Sequence, residues 1–184
     1  MPEWRIVDDV FVPEYVKTIQ LNVNDPAKLL KEMPDILIEV FRRTGPDVFE
    51  DSMKWDVVGE AAEFYGSWRI RDTKDVRTTM WGTIVVQGKQ GIIKMEPSEE
   101  DPSKFEPKII KHGSITIWLR GTMTTKIPFT TPIDKSIAWA YMYLFYAERK
   151  REYMVKAKEH FDRFENVIRE KFGITTTTHS RLTE

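Results

Sequence analysis

Apolar and polar side chains alternate along much of the chain, with the period of two that is typical of β-strands. The clearest stretch is residues 62–72, where Phe64, Trp68 and Ile70 share one face and mostly polar or charged side chains occupy the other. Such strands have one face on a core and one in solvent, as in an antiparallel sheet. The same pattern predicts strands over 15–23, 48–58, 77–87, 92–96, 108–120 and 122–127, with 92–96 folding back on the preceding strand as a hairpin.

Two segments have a helical pattern instead. Residues 24–43 open with capping residues and Pro26 but contain Pro34, whose ring clashes with the preceding turn, so we predict two short helices meeting near Pro34. The second segment opens with the capping box Thr131–Asp134 and runs to Gly173 without glycine or proline. It predicts a C-terminal helix roughly 58 Å long. Its charged patch at 148–152 predicts a break, or an exit from the core, at that point.

The order strand, two short helices, a run of about six antiparallel strands and one long helix predicts an α+β fold. In this fold a curved antiparallel sheet of about six to seven strands grips the last helix. Over residues 15–172 this order resembles the helix-grip fold of the START, Bet v 1 and polyketide-cyclase (SRPBCC) superfamily. The resemblance implies an apolar ligand held between sheet and helix, or enzymatic activity as in some members, and it transfers no catalytic residue. We expect one domain over residues 1–173 and a mobile tail over 174–184.

Composition narrows the class of protein. The 184 residues include no cysteine, which excludes disulfide scaffolds, iron–sulfur sites, thiolate zinc sites and thiol nucleophiles. A hydrophobic fraction of 41% excludes a disordered chain, and a net charge of −1 argues against a nucleic-acid coat protein. That balance combines a net −7 over residues 1–63 with +6 over 64–184. The two halves are either complementary parts of one fold, or the second offers a basic surface to an anionic partner.

The N-terminus has no secretory-signal pattern, and the longest apolar run, residues 137–147, is too short to span a bilayer. We therefore expect a cytoplasmic protein without a membrane span. Charged residues make up 31% of the chain, whereas asparagine and glutamine are scarce, a composition reported for heat-adapted proteins.

Aromatic residues are concentrated on the predicted strands and on the first turns of the long helix. They predict either a large core, a pocket lined by rings, or a subunit interface. Arg120 shares a strand face with Trp118 and could orient a ligand, although a strand end in solvent is the simpler interpretation for both Arg120 and Asp72. The predicted ligand-binding residues are Trp55, Phe64, Trp68, Trp81, Trp118, Arg120, Trp139 and Tyr143.

No motif identifies a reaction. His112, His160 and His179 lie far apart without metal-ligand spacing, and no nucleophile–base set or phosphate loop is recognisable. We predict no metal and no cofactor, and the sequence leaves open whether the protein is an enzyme and which residues would be catalytic. Three hypotheses remain: a protein that binds a hydrophobic or aromatic small molecule between the sheet and residues 137–147; a self-associating protein; or a hydrolase or cyclase with a buried polar cluster, such as Arg120 with an acid. Self-association would form a homo-oligomer through Met154, Phe161, Phe164 and Phe172 of the long helix.

Overall fold

The computed structural model describes residues 3–58, 61–91, 93–97, 105–109 and 112–173. The predicted tail, 174–184, and most of the acidic, proline-containing stretch around residue 100 lie outside these ranges. The strands are β1 (Glu3–Asp9), β2 (Lys17–Asn24), β3 (Val48–Val58), β4 (Ala61–Thr73), β5 (Thr78–Gly91), β6 (Ile93–Pro97), β7 (Phe105–Ile109) and β8 (His112–Pro128). The helices are α1 (Pro26–Phe41), α2 (Pro132–Tyr141) and α3 (Ala147–Phe172), with a π-turn (Met142–Tyr146) joining the last two.

A six-stranded antiparallel sheet with a long C-terminal helix confirms the predicted α+β class. The strand order is β1–β8–β5–β4–β3, and β2 also pairs with β8. The 17-residue β8 pairs with β5 along one side. Along its other side it pairs with β2 over residues 112–119 and with β1 over residues 122–128. β1 therefore occupies one end of the sheet beside the start of the C-terminal helix.

The expected pairing of residues 92–96 with the preceding strand is wrong. β6 pairs with β7 in a separate two-stranded sheet, while β5 continues alongside β4 and β8 as far as Gly91. Gly88 lies inside β5 opposite Ile115 of β8 and not in a turn, and an added Cβ there would collide with the carbonyl oxygen of Ser114. Because it has no side chain, Gly88 allows the backbones of two strands to approach closely. From the sequence alone, a glycine with this role looks the same as a glycine in a turn.

The prediction of two short helices is also wrong, because α1 runs unbroken from Pro26 to Phe41 with Pro34 inside it. Asp25 caps the helix by accepting the Lys28 amide at 3.0 Å. Proline in a helix interior costs about 3 kcal/mol. Eight buried residues on the inner face, Pro26, Leu29, Leu30, Met33, Ile36, Leu37, Val40 and Phe41, supply the packing that offsets this cost.

The C-terminal helix has no break at residues 148–152. It begins at the predicted capping box, in which Thr131 and Asp134 cap each other, and continues to Phe172. The irregularity lies earlier, at the π-turn. The charged residues that suggested a break remain on the surface of α3, where Lys150 pairs with Asp8 of β1 at 3.1 Å.

The core lies where α1 and α3 pack on one face of the sheet. Phe161 is fully buried, and a Cβ built on Gly121 would lie 2.9 Å from its ring, so the ring sits directly on the sheet backbone. Phe41 packs edge-on against Phe161, with ring centroids 5.2 Å apart. Phe161, Phe164 and Phe172, which the self-association hypothesis assigned to a partner, thus form part of the core of a single chain.

Ion pairs join the acidic first part of the chain to the basic second part, which favours the interpretation of two complementary halves. Among the described residues, the pairs that cross residue 63 are Lys150–Asp8, Arg69–Asp51, Arg71–Asp47, Lys89–Glu63, Lys126–Glu3, Lys171–Glu39, Arg43–Asp72 and Lys17 with Asp162 and Glu165. Arg43–Asp72 and the Lys17 pairs place the basic group in the first half. The exposed arginines of β4 therefore already have acidic partners on β3 and its preceding turn.

Candidate functional site

The eight predicted ligand-binding residues fall into three separate places. Phe64 and Trp68 are buried on the sheet face that carries the helices. Trp55 stacks on Phe64 with ring centroids 5.3 Å apart, and it remains 40% exposed. The indole Nε1 of Trp68 is buried without a hydrogen-bond partner among the described residues.

Trp81, Trp118 and Arg120 lie on the opposite face of the sheet. Their neighbours along each strand, such as Ile117 and Leu119, are buried, so strand alternation directs these three side chains away from the helices. Arg120 is exposed and belongs to no buried polar cluster. Trp118 borders a shallow pocket of about 230 Å³ with polar neighbours.

Trp139 and Tyr143 lie together at a third place, the beginning of the C-terminal helix. Their rings stack almost parallel, with centroids 5.5 Å apart and an interplanar angle of 7°. They border a groove of about 430 Å³ between β1 and the helix. We call it the β1–α2 groove; its lining residues are Trp4, Ile6, Trp139, Met142, Tyr143, Ala147 and Lys150.

The floor of the β1–α2 groove is a small apolar cluster separate from the main core. Ile127, Met142 and Tyr146 are its buried members, and Trp4 and Ile6 pack against them. The pairing of β1 with the end of β8 places Trp4 opposite Ile127. One wall of the groove is therefore part of the sheet, and the other wall is the helix.

Lys150 supplies the cationic group of the groove. Its Nζ lies 3.1 Å from both carboxylate oxygens of Asp8, and both side chains are about a quarter exposed. Because the ammonium group already has an acidic partner, it has most of its charge neutralised and still has hydrogen-bond capacity toward the groove. The remaining lining is predominantly apolar.

A partly buried polar cluster, which sequence reasoning did not locate, holds the π-turn against the sheet. Asp75, in the β4–β5 turn, accepts the Tyr146 hydroxyl at 2.7 Å and the Tyr153 hydroxyl at 3.2 Å on one oxygen. Its other oxygen accepts the amides of Arg77 and Thr78, each at 2.8 Å. Burial opposes ionisation of Asp75, but these four hydrogen bonds outweigh it and hold the pKa of the carboxyl below its usual range.

Tyr146 has the complementary shift. Burial and the adjacent Asp75 carboxylate raise the pKa of its phenol well above its ordinary value, although a hydrogen bond with Thr78 acts in the opposite direction. A phenol in this setting is a hydrogen-bond donor and not a base at neutral pH. The cluster therefore anchors the helix and offers no activated nucleophile.

A second polar cluster surrounds Asp72, which is completely buried. The expectation that Asp72 ends its strand in solvent is wrong, because Arg43 and Lys74 each pair with one of its oxygens and α3 covers the site with His160. Burial lowers the pKa of His160, and the positive charge of Lys74 lowers it further, while Asp72 partly compensates. A buried acid with cationic partners is present, as the hydrolase hypothesis requires, but Arg120 is not part of it.

Both polar clusters share one face of the C-terminal helix. Tyr146, Tyr153 and His160 are spaced seven residues apart, so they line up over the β4–β5 turn that carries Asp72 and Asp75. Within the part of the chain that the structure describes, no group of three or more histidine or acidic side chains is arranged to hold a metal ion. None of the described helices combines the length and the apolar character needed to cross a membrane.

Comparisons with known proteins leave the family open. No family model and no curated protein matches the sequence. A solved structure described as a delta-endotoxin aligns with 64% of this chain, at 8% sequence identity and a TM-score of 0.29. That match spans 63% of the delta-endotoxin chain, and a similarity this low carries no argument about fold or function.

Proposed function

We propose that this protein binds a flat hydrophobic or aromatic small molecule in the β1–α2 groove. The observation that carries the proposal is the stacked pair Trp139 and Tyr143, which presents aromatic surface beside an apolar groove. Both residues are more than half exposed, whereas aromatic side chains of this size are usually covered in a folded protein. A bound ring system would cover them.

The dimensions and chemistry of the groove suit this class of ligand. Binding sites for small molecules occupy about 300–1,000 Å³ and combine an apolar lining with a few polar groups that fix orientation. The groove, at about 430 Å³, has that composition, with the Lys150–Asp8 pair as its polar part. Because Asp8 already neutralises Lys150, a neutral hydroxyl or carbonyl on the ligand fits better than a carboxylate.

The groove is also held in shape by contacts outside it. Tyr146 belongs to the floor cluster and is tied to Asp75, and β1 is hydrogen-bonded along its length to β8. A site that is already ordered loses less conformational entropy when it binds a ligand. The proposal retains the ligand type that the helix-grip resemblance implies, in a position between the sheet and residues 137–147.

Titration with 2-naphthol, followed by the chemical shifts of the tryptophan indole NH groups, tests the proposal. We expect saturable binding that shifts the Trp4 and Trp139 resonances. The Trp139→Ala and Tyr143→Ala variants should each weaken binding about tenfold or more, because each removes one face of the stack. Trp81→Ala, on the opposite face of the sheet, is the matched control and should bind as the parent protein does. Equal affinity in all four proteins would refute the assignment of the groove.

A further inference from the structure

β3 is an edge strand of the six-stranded sheet, and one side of its backbone has no strand partner among the described residues. It pairs with β4 alone, and no other described backbone hydrogen bond reaches residues 52–58. A bulge between Glu50 and Ser52 interrupts the pairing with β4, and residues 52–58 then keep a regular register up to the end of the strand. The free side of this stretch therefore offers unpaired N–H and C=O groups to a further strand.

The side chains of this stretch are exposed on both faces of the sheet. On the face that carries the helices, Met53 is 54% exposed, Trp55 40% and Val57 64%. On the opposite face, Lys54 and Asp56 are exposed, and neither forms an ion pair with a described residue. The edge thus combines an apolar row on one face with an unpaired base and an unpaired acid on the other.

The surroundings of Asp56 favour a basic group from outside the chain. Its direct neighbour on β4 is Glu63, whose carboxylate binds Lys89 at 2.5 Å. Like charges directly opposite each other destabilise a sheet, and a base on the free side of β3 would offset this repulsion. Lys54 lies two residues from Asp56, on the same face of the strand, so a second copy of β3 can supply that base.

We propose that β3 pairs with β3 of a second copy of this chain, antiparallel about a two-fold axis at Trp55, so that the two sheets become one. This register places Lys54 opposite Asp56 of the partner subunit, and the symmetry repeats the pair. On the other face it places Met53 opposite Val57 of the partner subunit. The two Trp55 side chains lie opposite each other at the axis. Such cross-strand pairs stabilise antiparallel sheets.

Two independent features select this axis. The regular stretch 52–58 is centred on Trp55, so pairing about that residue uses its full length. An axis one residue earlier would place Lys54 opposite its own copy, and an axis one residue later would do the same for Asp56. Both would bring like charges together. At full overlap the strand is therefore complementary to itself, which favours a second copy over an unrelated extended peptide.

The inference does not rest on ligand binding, because the β1–α2 groove lies at β1 and the strand order places β3 at the other end of the sheet. A chain that binds no 2-naphthol can still dimerise, and a monomeric chain can still bind it. The two experiments therefore fail separately.

Sedimentation velocity of the full chain over about 1–200 µM tests the inference. We expect a monomer–dimer equilibrium for the parent protein. Lys54→Glu should raise the dissociation constant at least tenfold, because it places two acids opposite each other at two symmetric positions. Arg5→Glu, the same charge reversal at an exposed position of β1, is the matched control and should dimerise as the parent protein does. Circular dichroism and thermal unfolding verify that each variant is folded.

Charge exchange tests the pairing of the two residues. Adding Asp56→Lys to Lys54→Glu puts opposite charges across the axis again, so the double variant should recover the dissociation constant of the parent protein. A parent chain that stays monomeric at 200 µM overturns the proposal, and so does a Lys54→Glu variant that dimerises normally. A double variant that remains as weak as Lys54→Glu overturns the assigned register.

A single cysteine tests the position of the axis. The chain contains no cysteine, so a disulfide in a one-cysteine variant must join two copies. Trp55→Cys should form a disulfide-linked dimer under mild oxidation, because directly opposite residues have Cβ atoms about 4.5–5.5 Å apart. Met53→Cys is the control, since its own copy lies four residues away along the partner strand, roughly 13 Å distant. Cross-linking of Met53→Cys in preference to Trp55→Cys would place the axis elsewhere.

Discussion

Lys74 Nζ lies 2.5 Å from Asp72 Oδ2. Both side chains are buried: that of Asp72 is completely buried, and that of Lys74 is 8% exposed. Arg43, next to the C-terminal end of α1, pairs with the other carboxylate oxygen. A single acid thus joins the end of α1 to the β4–β5 turn beneath α3. Because burying a charge without a partner is costly, these three groups depend strongly on one another.

Replacing Asp72 by asparagine should destabilise the fold severely. The substitution keeps the shape but leaves Lys74 buried without a counter-charge, so we expect the free energy of unfolding to fall by about 3–5 kcal/mol. Urea denaturation at neutral pH measures the change. Asp51→Asn, which breaks the exposed pair with Arg69, is the control and should cost less than about 1 kcal/mol. Similar losses in both variants would show that the burial of Asp72 is not what matters.

Stability should fall as the pH drops below about 6.5, the ordinary pKa of histidine. Burial and Lys74 lower the pKa of His160 in the folded state, so between that lowered value and 6.5 the unfolded chain binds more protons. The unfolding free energy therefore rises with pH across this window and levels off above it. The groups facing His160 are Lys74, Arg43 and Arg42, which disfavour its protonation, and Asp72, which favours it.

His160→Leu should flatten this part of the pH profile, as measured by urea denaturation at pH 5.0 and 7.5. His112→Gln serves as the control, since His112 is exposed and hydrogen-bonded to Asn24. If the free energy of unfolding of His160→Leu differs between pH 5.0 and pH 7.5 as much as that of the parent protein, the titration belongs to another group.

Tyr146→Phe should destabilise the protein by about 1.5–3 kcal/mol at pH 7, because it removes a hydroxyl that donates to the Asp75 carboxylate. The contribution of Asp75 is present above its unfolded pKa and is lost as the pH falls through the lower folded value. The difference between the parent and Tyr146→Phe should therefore shrink in denaturation experiments below about pH 4. Tyr143→Phe alters an exposed phenol and should leave stability unchanged. A pH-independent effect of Tyr146→Phe would mean that Asp75 is not its partner in solution.

Gly121→Ala should cost about 1–3 kcal/mol, because its Cβ would lie 2.9 Å from the buried ring of Phe161 and equally close to Val10. Thermal unfolding provides the measurement. At Gly45 an added Cβ meets nothing within 4 Å, so Gly45→Ala is the control and should be nearly neutral. Combining Gly121→Ala with Phe161→Leu should give a smaller loss than the sum of the single changes, since the second substitution makes room for the methyl group.

Much of the sheet could be predicted from the sequence because its exposed face makes alternation visible. The pairing of the strands could not be predicted in the same way. β6 pairs with β7, and only the tertiary structure distinguishes this pairing from a hairpin between β6 and β5. Pro34 shows the opposite limit, where the packing of α1 on the sheet outweighs a local preference.

For the candidate site, the sequence identified Trp139 and Tyr143 but neither Trp4 nor Ile6. The N-terminal residues were not predicted as a strand, so the wall that faces the helix was missed. The sequence also assigned Trp81, Trp118 and Arg120 to the pocket, but these side chains lie on the sheet face away from the helices. Alternation shows which side chains share a face of a strand, but it does not show which of the two faces packs against the helices. The seven-residue spacing of Tyr146, Tyr153 and His160 was visible in the sequence. It did not predict a polar cluster, because the acidic partners of these residues lie in the β4–β5 turn, which is distant along the chain.

The π-turn at Met142–Tyr146 sets the rotational phase of α2 relative to α3. Its i→i+5 hydrogen bonding takes up one residue more than an α-helical turn, and one residue corresponds to about 100° of rotation. The phase of α3 is fixed by Phe161 in the core, so the length of this turn decides which residues of α2 face β1 and which face outward. Loss of a single residue there would rotate α2 by about 100° about its axis relative to α3 and would turn Trp139 and Tyr143 away from β1.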